Sequence, residues 1–178
     1  MAITKIQSES LNLADDFTFT GTVAGAGGAN TPAFRVIGSG GQVLSDATTT
    51  KVIYDTVTFD TNSAFDTSNY RFVVPSGHAG KYNFYSRFRY GGTNCSEIGL
   101  YFYKNGVEVS NQYYYSGSLS TNLYSSLNYY TYVMTYSGIL SVGDYIEIFA
   151  YFNNSSTGTH SIQTHNVTGE FVGYKIIE

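Results

Sequence analysis

The residues of this chain that could do chemistry are one cysteine, three histidines and thirteen scattered carboxylates, and their spacing predicts no catalytic site. Cys95 has no evident histidine partner in the sequence to activate its thiol, and no serine lies in the Gly-x-Ser-x-Gly context of a nucleophile elbow. The glycine-rich stretches 25–28 and 38–41 lack the Lys-Ser/Thr that ends a phosphate-binding loop. We therefore expect a protein that is not an enzyme and has no cofactor.

Two groups of side chains could bind a metal ion. His160 and His165 are five residues apart, which places them on opposite faces of a regular strand, so one chain is not expected to chelate with both. Alternatively, a trimer could bind a metal ion with three copies of one histidine around its symmetry axis. Four oxygen-bearing residues could serve calcium: Asp60, Asn62, Asp66 and Asn69. Because Asp and Asn also stabilise turns, we favour turns and predict no metal site.

The composition excludes several classes of protein. Charged residues make up 12% of the chain and Lys plus Arg number nine, so a nucleic-acid partner is not expected. No apolar run approaches the roughly 20 residues of a membrane-spanning helix, so we expect no membrane insertion. The start lacks the apolar core of a secretory signal, and a lone cysteine forms no internal disulfide. These features favour synthesis in a reducing cytoplasm.

Aromatic residues reach 17% of the chain, and they alternate along segments that are typical of β-strands. In 81–90, Tyr82, Phe84, Ser86 and Phe88 share one predicted face, with Lys, Asn, Tyr and Arg on the other. Asn105-Gly106 between two strand-like runs predicts a hairpin with a type I′ turn. No segment shows the apolar period of a helix.

Three segments, 100–103, 129–136 and 144–152, are aromatic on both predicted faces, although a monomer needs only one buried face. Exposed aromatic surface with little charge is typical of subunit interfaces, so we predict an obligate oligomer. The alternative is that amphipathic tyrosines lie half exposed on an antiparallel sheet. The candidate interface residues are Tyr101, Tyr103, Tyr130, Tyr132, Tyr136, Tyr145, Phe149 and Tyr151.

The aromatic residues between 54 and 84 also follow a family pattern. Its positions are filled by Tyr54, Asp60, Phe65, Phe72, Gly80, Tyr82 and Phe84. This pattern resembles the signature of the globular-head domain of complement subcomponent q and its tumour-necrosis-factor-like relatives. The departures are a Tyr in place of the leading Phe, seven residues rather than five before Gly80, and Ser86 in place of an aromatic.

Further likeness to this family lies at 33–34, 100–106, 141–144 and 171–174. The resemblance implies an all-β, ten-stranded jelly-roll sandwich that assembles as a homotrimer around an aromatic-lined axis. We expect this knob domain to span 32–178. Residues 1–31 then form an extended N-terminal arm with a Gly-rich linker, for attachment or trimerisation.

The arm resembles the starts of fibre and decoration proteins of tailed phages, on the basis of MAITKI followed by SESLNLADDFTFTGTV. Its candidate particle-anchoring residues are Ile3, Ile6, Leu11, Leu13, Phe17 and Phe19. We therefore predict a structural protein of the virion surface, a homotrimeric knob or short fibre bound to capsid or tail proteins. A frayed terminus is the simpler alternative for the arm.

Two other functions fit the sequence. The run Tyr113-Tyr114-Tyr115, in Ser-, Asn- and Gly-rich surroundings, is typical of recognition surfaces, and it favours a receptor- or glycan-binding tip that mediates host adsorption. The absence of Trp weakens the glycan interpretation. A free secreted recognition module of the complement type is the third possibility.

Overall fold

The computed structural model describes residues 30–92, 95–115, 129–154, 160–165 and 167–176. The arm therefore falls outside the described residues except for its last two positions. The anchoring candidates Ile3, Ile6, Leu11, Leu13, Phe17 and Phe19 stay a prediction.

The regular structure of the described ranges consists of β-strands. They are β1 (Ala33–Ile37), β2 (Gly41–Leu44), β3 (Thr50–Lys51), β4 (Thr56–Asp60), β5 (Phe65–Asp66), β6 (Arg71–Val73), β7 (Gly80–Gly91), β8 (Cys95–Lys104), β9 (Val107–Tyr115), β10 (Tyr129–Leu140), β11 (Tyr145–Asn154), β12 (His160–Gln163) and β13 (Glu170–Lys175). The part of the chain that the structure describes contains no helix long and apolar enough to cross a membrane.

The strands form two antiparallel sheets that enclose one hydrophobic core. Sheet A contains β1, β2, β4, β7, β10, β12 and β13, and sheet B contains β3, β5, β6, β8, β9 and β11. The predicted all-β, two-sheet fold is confirmed.

The predicted count of ten strands is not confirmed, because the described residues form thirteen. At two positions in the sheets, two short strands occupy the place of one long strand. β12 and β13 pair one after the other with the same edge of β7, and β3 and β6 pair in the same way with β11. A close approach of two backbones accompanies the break between β1 and β2. There the Gly38 amide donates to the Thr164 carbonyl over 2.8 Å, and a Cβ on Gly38 would lie 1.9 Å from Thr164 Oγ1.

β7 is the central strand of sheet A and confirms the predicted alternation. One of its edges pairs with β10 along the whole strand, and the other pairs with β12 and β13. Its buried residues include Tyr82, Phe84, Ser86 and Phe88, whereas the residues between them lie on the outer face. The strand thus presents an aromatic row to the opposite sheet.

The core is built mainly from aromatic rings of both sheets. Phe34 stacks on Phe72 with ring centroids 5.0 Å apart, and the edge of Phe171 meets Phe34 at the same distance. Phe84 and Phe102 extend this cluster across the sandwich. Such ring pairs each add about 0.5–1.5 kcal/mol to the effect of area burial.

The hairpin between β8 and β9 confirms the turn predicted at Asn105-Gly106. Both residues have positive φ, 52° and 78°, as a type I′ turn requires. The Asn105 side chain links this turn to the start of β11: its Nδ2 donates to Asp144 Oδ1 over 2.7 Å, and its Oδ1 accepts from the Tyr145 amide. Ion pairing with Lys104 and the Asn105 bond lower the pKa of Asp144 to about 2.

The substitution Gly38→Ala tests the backbone approach at Thr164. We expect a loss of about 1–3 kcal/mol in unfolding free energy, because the new methyl group overlaps the Thr164 side chain and the Ile53 carbonyl. Gly40→Ala is the matched control, since no atom lies within 4 Å of its added Cβ, and its effect should stay within about 0.5 kcal/mol. Urea unfolding at one fixed protein concentration measures both, and equal effects would contradict the packing described.

Candidate interaction surfaces

At the side of the sandwich where β9 and β10 lie, tyrosine side chains cover the hydrophobic core. Four partly buried residues pack against the core, and all lie on β9 or β10: Tyr114, Tyr130, Tyr132 and Tyr136. We call this set the tyrosine flank. Tyr136 packs on Phe84 and Phe102 at centroid distances of 6.3 and 5.7 Å, and Tyr132 stacks on Phe88 at 6.1 Å.

The two strands of the tyrosine flank are sheet edges. Within the described ranges, β10 pairs only with β7 and β9 only with β8, so each strand has one row of backbone groups without a strand partner. Exposed apolar side chains accompany these edges, and Ile139 and Val107 are 71% and 66% exposed. Long edge strands of this kind favour association with another chain.

The outer face of sheet B carries a second aromatic surface, formed by Tyr101, Tyr103, Tyr113, Phe149 and Tyr151. We call it the aromatic face. Tyr103 packs on Phe149 with centroids 4.4 Å apart, and Tyr113 lies 6.1 Å from Tyr151.

A glycine shapes the centre of the aromatic face. Gly99 lies directly between Tyr113 on β9 and Tyr151 on β11. The Tyr101 ring covers it, since a Cβ on Gly99 would lie 2.4 Å from the Tyr101 hydroxyl oxygen. Tyr101 is therefore only 9% exposed, and this burial, together with Glu108, raises its pKa to about 12.

The structure divides the predicted interface residues between these two surfaces. Tyr130, Tyr132 and Tyr136 belong to the tyrosine flank and face inward, whereas Tyr101, Tyr103, Phe149 and Tyr151 belong to the aromatic face; Tyr145 lies on the same side of β11, under Arg71. They do not form one continuous patch. Whether any of them contacts a second subunit stays a prediction.

Sequence reasoning missed two residues that lie beside the aromatic face, Gly99 and Glu97. Because every second residue of a strand shares a face, Gly99 and Glu97 lie on the same face as Tyr101, and this spacing could have predicted their position. The Tyr113 hydroxyl donates to Glu97 Oε2, and burial together with the nearby Glu97 carboxylate raises the pKa of Tyr151.

The outer face of sheet A combines ion pairs with exposed apolar side chains. Glu170 forms ion pairs with Arg35 at 2.6 Å and with Arg87 at 2.9 Å. Arg89 Nε donates to Gln163 Oε1, and its guanidinium lies 4.7 Å from the centroid of the Tyr129 ring. Tyr129, Val133 and Ile139 of β10 lie exposed on the same face.

Cys95 and His160 meet in the core around Tyr90, but the arrangement does not favour catalysis. The Tyr90 hydroxyl and His160 Nδ1 are hydrogen-bonded 2.6 Å apart, and the His160 ring stacks 3.6 Å from Phe152. Burial raises the pKa of the Cys95 thiol to about 12, so it is a poor nucleophile near neutral pH. His160 is 2% exposed, which also places it away from any site on a symmetry axis.

The oxygen-bearing residues considered for calcium stabilise turns. Asp60 accepts the backbone amides of Ala64 and Phe65, at 3.0 and 2.8 Å. Asp66 accepts the amides of Ser68 and Asn69. Among the described residues, no group of three or more His, Cys, Asp or Glu side chains could hold a metal ion.

Solved structures show what this arrangement of sheets is similar to. The globular domain of zebrafish complement 1qA is 15% identical, with 82% of this chain and 98% of that one covered and a TM-score of 0.52. Murine APRIL, determined at pH 5.0, is 13% identical over 81% and 98%, with a TM-score of 0.58. The Eiger TNF of S. frugiperda is 14% identical over 81% and 91%, with a TM-score of 0.54.

At these identities the likeness shows a jelly-roll fold of the TNF and complement type, and the fold alone. No protein-family model matches the sequence, and no curated protein matches it either. The implied jelly roll is thus confirmed by structures that the sequence signature pointed to.

The buried His160 predicts a pH dependence of stability. Burial lowers its pKa in the folded protein, partly offset by Asp46, whereas the unfolded chain titrates near pH 6.5. The unfolded state therefore binds more protons below that pH, and stability falls as the pH decreases from about 6.5, by at most about 1.4 kcal/mol per pH unit for one proton. Urea unfolding between pH 7.5 and 5.5 should show a shallower fall for His160→Phe than for the wild type, and equal slopes would contradict this prediction.

Proposed function

We propose that this chain is a homotrimeric knob or short fibre of a phage virion, anchored to capsid or tail proteins by its N-terminal arm. The observation that carries the assembly is the tyrosine flank, where four half-buried rings and two edge strands leave one side of the core incompletely covered. The family resemblance implies a trimer for such a sandwich.

A trimer would cover the tyrosine flank efficiently. In a closed ring of three, each interface is heterologous, so the flank of one subunit packs against a different surface of the next. Obligate interfaces bury more than about 2,000 Å² and are rich in Tyr and Phe. The low charge of the chain fits this, because few ions would have to be desolvated on assembly.

The place in the virion rests on the sequence of the arm. Its resemblance to phage fibre and decoration proteins, its Gly-rich end and the absence of a predicted catalytic constellation together favour a mechanical role at the particle surface. On this proposal the arm docks and the knob projects.

A receptor- or glycan-binding tip is the second candidate, and the aromatic face favours it. This surface is on the outside of sheet B rather than at the tyrosine flank, so it would stay accessible if the flank were covered by a neighbouring subunit. Host adsorption would then be an added activity of the same knob.

Charges on the outward-facing side of β10, the strand that carries three of the flank tyrosines, test the assembly. The double variant Val133→Glu and Ile139→Glu should dissociate the trimer, because two carboxylates would have to be buried without partners. Sedimentation should change from about 58 kDa, three chains of 19.5 kDa, to one chain. Val57→Glu with Val43→Glu is the matched control, since their exposed fractions of 43% and 70% equal those of Val133 and Ile139 within one percentage point.

The control pair should remain trimeric. A wild-type protein that is a folded monomer at micromolar concentration would overturn the assembly, whatever the variants do.

Deletion of residues 1–31 tests the anchoring. We expect the truncated chain to remain a trimer and to retain any binding to host cells, but to be missing from purified particles. Mass spectrometry of particles measures incorporation, and image reconstruction of intact particles locates the full-length protein. Normal incorporation of the truncated chain would show that the knob itself carries the attachment.

A further inference from the structure

The chain holds two of its own cations by combining an aromatic ring with a carboxylate on the outer face of sheet B. Lys51 Nζ lies 5.7 Å from the Phe149 centroid and 2.6 Å from Glu147 Oε1. The Arg71 guanidinium lies 4.4 Å from the Tyr145 centroid, and its Nε is 3.6 Å from Asp66 Oδ2. Rings attract cations through their electron-rich faces, and a carboxylate adds direct charge.

A third combination lies on the same face, and no cation of the described residues occupies it. The Glu97 carboxylate accepts the Tyr113 hydroxyl, and the Tyr113 ring lies 6.1 Å from that of Tyr151, so two rings lie close to it. Unlike Glu147 and Asp66, Glu97 forms no ion pair in the part of the chain that the structure describes.

The floor of this third site is formed by Tyr101. Its side chain is nine-tenths buried, and its hydroxyl lies over Gly99, between Tyr113 and Tyr151. The Tyr101 ring therefore adds a third aromatic surface beside the carboxylate.

The electrostatic surroundings of the site are negative. Glu97 and Glu108 both act on Tyr101, and Glu97 and Asp46 act on Tyr151, in each case disfavouring a negative phenolate. No lysine or arginine is among the groups acting most strongly on Tyr101, Tyr113 or Tyr151. A site of this charge is complementary to a cation.

We propose that Glu97, with Tyr113, Tyr151 and Tyr101 around it, binds an arginine side chain of a protein partner. Arginine fits because its planar guanidinium can stack on a tyrosine ring while its N–H groups donate to a carboxylate. The partner is therefore an arginine-bearing segment that lies across the aromatic face. This inference does not rest on the trimer or on the virion location.

A peptide titration of the full-length protein tests the proposal. The probe is acetyl-Gly-Arg-Gly-amide, added to the ¹⁵N-labelled chain in low salt and followed by amide chemical shifts. We expect saturable shifts centred on Gly99 and the neighbouring β8, β9 and β11 amides, weakened by salt. The citrulline peptide has nearly the same shape without the charge, and it should bind at least about tenfold more weakly.

Variants separate the carboxylate from the rings. Glu97→Gln keeps a hydrogen-bond acceptor for Tyr113 but removes the charge, and we expect the dissociation constant of the arginine peptide to rise about tenfold. Tyr113→Leu should weaken binding as well. Tyr129→Leu is the matched control, because Tyr129 is similarly exposed but its ring is already covered by Arg89, and it should bind as the wild type does.

Three results would overturn the proposal: no saturable shift at millimolar peptide, equal binding of the citrulline peptide, or unchanged binding by Glu97→Gln. Equal binding of citrulline would mean that the face binds through apolar contact alone. If Tyr113→Leu fails to fold, Glu97→Gln still decides the matter, since its amide spectrum reports both folding and binding.

Discussion

Each strand of a two-layer sandwich has two faces, and the opposite sheet can bury only one of them. In β7 the second face is mainly polar: Arg87 forms an ion pair with Glu170, and Arg89 donates to Gln163. In β8 and β11 the second face is aromatic, and its rings pack against each other across the strands. The outer faces of these central strands therefore differ in chemistry although the strands share one core.

The same constraint explains what the sequence could predict. Alternation in β7 and the Asn105-Gly106 turn depend on neighbouring residues, so both could be read directly and both are confirmed. Register and strand order depend on contacts between distant segments, and no local pattern contains them. The sequence signature of the jelly roll supplied the fold class, but no spacing in it indicates the close approach of the chain at Gly38 and Thr164, where β1 is separated from β2 and β12 from β13.

The candidate interface shows the same limit more sharply. Tyr101 and Tyr103 point away from the core residues Leu100 and Phe102, as period-two alternation requires, yet alternation could not tell that β10 lies at an edge. In an interior strand, the inward-facing side chains have a neighbouring strand on both sides. In an edge strand they have a neighbouring strand on one side only, and therefore Tyr132 and Tyr136 face the core but remain partly exposed. Position in the sheet, rather than residue type, determines their exposure.

Tyrosine suits both kinds of position for one physical reason. Its ring can cover a hydrophobic core while its hydroxyl reaches water, a carboxylate or another subunit, and phenylalanine cannot do the second. On the aromatic face the hydroxyl of Tyr113 holds Glu97 in place beside the rings, so a charge is kept on a surface that has few. The proposed arginine site uses this arrangement, because one carboxylate placed among tyrosines supplies charge and aromatic surface together. A phenylalanine in place of Tyr113 would supply the ring alone and would leave Glu97 without that hydrogen bond.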